Sequence, residues 1–178
     1  MLIHRFSETV KPTGHESFLG DEEIIVSKTD LQGRITYCND VCLRVAGMTA
    51  EQALGSPHCV VRHPEMPRSV FKLLWDTIQN QKEIFAYVNN MSSNGDNYWV
   101  FAHVTPTLDS KGKLIGYHSS RRKPTREQVA KIAPIYTTLL NVERAYTNPK
   151  EAAAAGVAAL TDLLQKQRMS YDEFVFTI

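Results

Sequence analysis

The chain has 178 residues, 43% of them hydrophobic and 22% charged, with a formal net charge of +1. That length supports one globular domain with additional helix around a real core. The near-balanced charge argues against nucleic acid as the main partner, since that needs a basic stripe and none appears, and against an anionic membrane surface for the same reason.

Residues 1–21 are polar and without clear period, and Pro12 and Gly14 interrupt them. They predict a loosely ordered arm. No apolar leader follows Met1-Leu2-Ile3-His4-Arg5, and no apolar run approaches membrane-spanning length, so a cytoplasmic chain is expected. Ile24-Ile25-Val26 and Arg34-Ile35-Thr36-Tyr37-Cys38, joined by Asp30-Leu31-Gln32-Gly33, predict a hairpin. Asn39 is placed to cap a helix over Val41 to Ala46 that Gly47 ends, and Thr49 with Gln52 has capping-box spacing for a second short helix.

The segment His58-Cys59-Val60-Val61-Arg62-His63-Pro64-Glu65-Met66-Pro67 carries the most chemical information. Pro64 and Pro67 prevent a helix from running through the basic pair Arg62-His63. A basic pair on a stiffened loop ahead of a helix is suited to hold an anionic group. The bland alternative is a proline-punctuated loop with solvated basic residues. The following helix has Val70, Phe71, Leu74, Trp75 and Ile78 at helical spacing, and core packing is the default for such a stripe.

Three strands come next: Phe85–Val88, Tyr98–Val104 after the Asn94-Gly95 turn, and Leu114–His118 after Asp109-Ser110-Lys111-Gly112. Tyr98 and Trp99 point to opposite faces of their strand, so only one can enter an interior site. Beyond Pro124, one helix is predicted with Pro134 kinking it, and Pro149 begins another that is rich in alanine. Leu139, Leu140, Leu160, Leu163 and Leu164, with Phe174, Val175 and Phe176, supply more apolar surface than a compact domain obviously needs. They are expected to meet a partner, the alternative being that they fold back and cover the sheet's outer face.

The cysteines Cys38, Cys42 and Cys59 are odd in number and lack a CxxC pair, which fits reduced thiols. His58 with Cys59 gives two metal ligands at most, so no metal site is expected. Neither a nucleophile–base–oxyanion set nor a phosphate-binding glycine loop is visible, and a non-catalytic protein is expected.

Two strands, short helices and three strands predict an α+β fold with a five-stranded antiparallel sheet, short helices on one face and C-terminal helices beyond it. This order resembles a PAS sensor domain. Within it, Thr29-Asp30-Leu31, Tyr37-Cys38-Asn39-Asp40, Val61 to Pro67, Phe71, Trp75, Asn90 and Asn94 to Val100 resemble the FAD-binding PAS domain of bacterial aerotaxis (energy-taxis) receptors. The resemblance spans residues 22–123, leaving 1–21 as an arm and 124–178 as a helical extension. It implies FAD between the sheet and the short helices, read for redox state and signalled onward by protein contact. Asn39, Arg62, His63, Phe71, Trp75, Asn90 and Trp99 are the cofactor-binding candidates that it implies. Asn90 would bond the flavin's polar edge, since a buried amide needs partners.

No kinase, cyclase or long coiled coil is visible, so the chain resembles the stand-alone PAS partner of a bipartite energy-taxis system. The implied partner is a membrane chemoreceptor of the methyl-accepting type, or a second copy of the chain. One position departs from the family. Where those domains often have a strand Trp, this chain reads Glu83-Ile84-Phe85, and a one-residue shift turns Phe85 to the other face. Cys59 lacks the Asn-Cys-Arg-Phe setting of flavin photoreceptors, so adduct chemistry is not expected. The remaining alternatives are a haem-binding PAS gas sensor using His58 or His63, and a cofactor-free PAS interaction module.

Overall fold

The computed structural model describes residues 6–178. In chain order these form α1 (Phe6–Thr9), β1 (Ile25–Thr29), β2 (Ile35–Cys38), α2 (Asp40–Ala46), α3 (Ala50–Ala53) and a 3-10 turn at His58–Val61. They continue as α4 (Arg68–Gln79), β3 (Ile84–Met91), β4 (Asn97–Leu108), β5 (Leu114–Arg122), α5 (Arg126–Arg144), α6 (Pro149–Gln167) and α7 (Tyr171–Thr177). The strands form one antiparallel sheet in the order β2-β1-β5-β4-β3. The first hairpin therefore joins the last strand at the centre, where Ser27 lies opposite Ser119 and Ile25 opposite Arg121.

The local signals act as their chemistry requires. Asn39 caps α2 by accepting from the Cys42 N–H, and Gly47 ends the helix at φ 65°. Thr49 and Gln52 form the reciprocal capping box of α3. Helix α5 continues through Pro134. Strand β3 runs further than the apolar pattern suggests, because the ladder carries Asn89 opposite Trp99 and Asn90 opposite Tyr98. Cross-strand pairing here outweighs the poor strand propensity of asparagine.

Two expectations are corrected. The arm is docked over its described part: Thr13 donates to Asp96 at 2.6 Å, Glu16 bridges Asn97, and Leu19 is buried in the core. Its first five residues lie outside the described residues. The C-terminal helices fold back onto the domain. Leu139, Leu160, Leu164, Phe174 and Val175 are buried in the same core as the sheet, and Leu140 and Leu163 are half-buried. Only Phe176 remains largely exposed, at 59%, although its ring packs at 4.7 Å from Phe85. The reason lies in the sheet, whose outer face carries Phe85, Tyr87, Trp99 and Phe101. Such a stripe gains about 25 cal/mol for each Å² of apolar area removed from water. The Tyr136 hydroxyl donates to the Tyr87 carbonyl at 2.6 Å and the Tyr171 hydroxyl to the Phe85 carbonyl at 2.9 Å, fixing α5 and α7 over it.

The extension also holds the entrance of α4. Pro67 occupies the cap position and supplies no side-chain bond. Glu143 of α5 takes that role, accepting from the Arg68 N–H at 2.8 Å, the Ser69 N–H at 2.8 Å and the Ser69 hydroxyl at 2.7 Å. A carboxylate is well matched to the unpaired donors of a helix start. Gly156 of α6 closes over this contact, and a Cβ there would lie 2.7 Å from both Glu143 Oε1 and Ser69 Oγ. Among the described residues, no helix is long and apolar enough to cross a membrane.

Candidate functional site

A cavity of about 430 Å³ lies between the inner face of the sheet and α4, closed at one end by the 3-10 turn. Strand alternation selects its lining. β3 contributes Val88 and Asn90, β4 contributes Ala102 and Val104, and β5 contributes Tyr117, Ser119 and Arg121. Phe71, Leu74, Trp75 and Ile78 on α4 form the opposite wall. Trp75 is set edge-on to Tyr117 at 5.4 Å. Its ring also requires Gly33, where a Cβ would lie 2.8 Å from the indole and φ is +75°.

Arg62, Phe71, Trp75 and Asn90 are brought together at this cavity. The Arg62 guanidinium lies 4.2 Å above the Phe71 ring and donates to the Met66 carbonyl at 3.1 Å. The Arg62 and Asn90 backbones pair in an isolated antiparallel bridge, which ties the proline-bounded loop to β3. Asn90 is 4% exposed. Its amide makes no side-chain hydrogen bond to any described residue, yet no fully enclosed side-chain polar atom lacks a partner. The amide therefore opens onto the cavity.

Three candidates lie elsewhere. Asn39 is committed to backbone: it accepts from the Val26 and Cys42 N–H groups and donates to the Ile24 carbonyl. Trp99 faces the outer side of the sheet, 6.2 Å from Tyr136, while its neighbour Tyr98 takes the buried inner position. His63 lines a smaller cleft of about 220 Å³ with Arg62, Arg68, Leu140 and Glu143. It is buried, its Nδ1 accepts from the Glu65 N–H at 3.2 Å, and burial lowers its pKa. Arg62 borders both spaces. Phe85 faces outward, as its position requires, and stacks on His103 at 4.1 Å.

The polar end of the cavity is not apparent from the sequence. Arg121 is 3% exposed and has no carboxylate partner among the described residues. It donates to the Ser119 hydroxyl at 3.1 Å and to the Ser27 hydroxyl. Ser27 Oγ is in turn 3.3 Å from Nε2 of His58. Burial, assisted by the Arg121 charge, lowers the His58 pKa to about 3. In the sequence Arg121 is one of two adjacent arginines near a strand end, and only register places it inside and Arg122 outside.

These features define a PAS fold, in which a sheet and short helices enclose a ligand-sized cavity. The family model described as PAS fold matches residues 35–121. The aerotaxis receptor of Escherichia coli (strain K12) is 40% identical over 121 residues, which are 68% of this chain and 24% of the receptor. The nitrogen fixation regulatory protein of Klebsiella pneumoniae is 26% identical over 99 residues, 56% of this chain and 20% of that protein. The chain thus spans under a quarter of the length of either relative. A PAS domain from Colwellia psychrerythraea superposes with a TM-score of 0.53 at 21% identity, covering 58% of this chain and 87% of that one. A light-oxygen-voltage domain structure concerned with a flavin analogue superposes with a TM-score of 0.55 at 14% identity, covering 61% and 82%. The chain carries a PAS-fold domain, and its sequence is related to that of the aerotaxis receptor.

Proposed function

We propose that the cavity binds FAD and that the protein is a redox sensor of the energy-taxis kind, signalling by contact with a chemoreceptor-type protein. The observation that carries this reading is the Asn90 amide, without a side-chain hydrogen bond to any described residue and open to a cavity walled by Phe71 and Trp75. A planar heteroaromatic ring edged with donors and acceptors would supply that amide with hydrogen-bond partners. Arg62 borders both the main cavity and the smaller cleft with His63 and Arg68. That placement suits a dinucleotide, with the ring in the larger space and the pyrophosphate near Arg62. A flavin would supply reversible electron transfer. Asn90 and Arg121 would orient its polar edge, and Phe71 and Trp75 would exclude water. The 40% identity to an aerotaxis receptor supports the same reading.

A haem is less well served. His63 does not line the main cavity, and Nε2 of His58 faces the Ser27 hydroxyl. The test is direct: denature the purified protein and identify the released cofactor by chromatography. FAD is expected, and FMN or haem would overturn the reading. Arg62→Ala should lower FAD affinity roughly tenfold to a hundredfold, the equivalent of one charge-assisted contact.

A further inference from the structure

Cys38 ends β2 and Cys42 lies in the first turn of α2, at the sheet edge away from β3. Their sulfur atoms are 2.9 Å apart. A disulfide bond spans about 2.05 Å, so small side-chain rotations bring the two sulfurs into bonding distance. Cys38 is half-buried and Cys42 is buried, so the pair has a single partly open side.

Their surroundings separate the two thiols. The two thiols share a hydrogen bond, and this bond together with the Arg121 charge lowers the Cys42 pKa to about 7 against the effect of burial. The same hydrogen bond and burial raise the Cys38 pKa. The other charged or titratable group acting here is Tyr98 of β4, whose phenol burial keeps neutral at ordinary pH. A shared hydrogen bond between sulfurs 2.9 Å apart stabilises a thiolate on one of them while the other stays a thiol, the arrangement of an attacking and a resolving cysteine, and the Arg121 charge favours Cys42 as the thiolate.

We infer that Cys38 and Cys42 are a peroxide-sensitive dithiol that closes to an intramolecular disulfide. In the first step the Cys42 thiolate attacks a hydroperoxide oxygen, the O–O bond breaks, and Cys42 becomes a sulfenic acid while water leaves after protonation. In the second, the Cys38 sulfur attacks the sulfenic sulfur, the S–S bond forms, and the hydroxyl leaves as water with the Cys38 proton. Two thiols and one hydrogen peroxide give one disulfide and two waters. Closure also removes the Cys42 thiolate from the vicinity of Arg121 in the cavity wall.

The test uses the whole chain with hydrogen peroxide as oxidant, and it does not depend on which cofactor is bound. After mild oxidation, alkylation and peptide mapping should show Cys38 joined to Cys42 within one chain and Cys59 still free. Cys38→Ser should stop the reaction at a sulfenic acid on Cys42, trapped by dimedone. Cys42→Ser should leave Cys38 slow to react. Preferential oxidation of Cys59, a disulfide between chains, or persistence of both free thiols would each overturn the inference. Mapping of the unmutated protein decides the matter even where a variant fails to fold.

Discussion

On the inner face of the sheet Asn90, Ser119 and Arg121 surround a cavity, whereas on the outer face Phe85, Tyr87, Trp99 and Phe101 lie beneath α5 and α7. Both faces come from the same strands by alternation. The outer face is filled and aromatic, and its polar groups are satisfied by the Tyr136 and Tyr171 hydroxyls bonding to backbone. The inner face keeps space, and among the described residues its buried cation Arg121 has no carboxylate partner and its amide Asn90 makes no side-chain hydrogen bond. The contrast separates stability from function: what the outer face gains by packing allows the inner face to remain polar and hollow.

The strongest way to break this contrast is Phe174→Ala, which removes a buried ring from α7 on the outer side. A loss of about 3–5 kcal/mol is expected in denaturant unfolding. A loss below about 1 kcal/mol would show that the extension is not part of the core. Glu143→Ala comes next, because it strips the α4 entrance of a carboxylate that accepts three hydrogen bonds. About 2–4 kcal/mol should be lost, with hydrogen exchange rising first at Arg68 and Ser69. Unchanged protection there would assign the cap to another group.

A pH experiment sharpens the inner side. The folded protein depresses the His58 pKa from 6.5 to about 3, so the fold favours the neutral ring. Its contribution is complete above pH 6.5 and declines as pH falls toward about 3, because the unfolded chain takes up the proton first. The slope from this ring is at most about 1.4 kcal/mol per pH unit. Burial depresses His63 and His118 in the same direction. His58→Asn should therefore flatten, without abolishing, the stability loss just below pH 6.5. An unchanged slope would show that His58 is not held neutral.

The smallest stability effect is expected from Asn90→Leu. The amide has no hydrogen bond to a described residue to lose, so unfolding should shift by no more than about 1 kcal/mol in either direction. Flavin content should nevertheless fall sharply. Full flavin retention would remove Asn90 from the proposed site.

Most local structure follows directly from the amino-acid order, because caps, turns and strand alternation act over a few residues. Asn39 and Gly47 delimit α2, Thr49 opens α3, and Asn94-Gly95 turns β3 into β4. Arg62, Phe71, Trp75 and Asn90 were legible as candidates through their resemblance to a known domain. Which face each residue serves depends on long-range strand pairing. Trp99 went outward and Tyr98 inward because the ladder sets strand parity, and Asn39 was consumed by the backbone of β1 and α2. Arg121, Ser27 and His58 are far apart in the chain and meet because β1 pairs with β5 at the centre of the sheet. The fate of the C-terminal helices was equally non-local: an apolar helix face suits a partner or its own sheet, and the aromatic stripe on β3 and β4 drew it home.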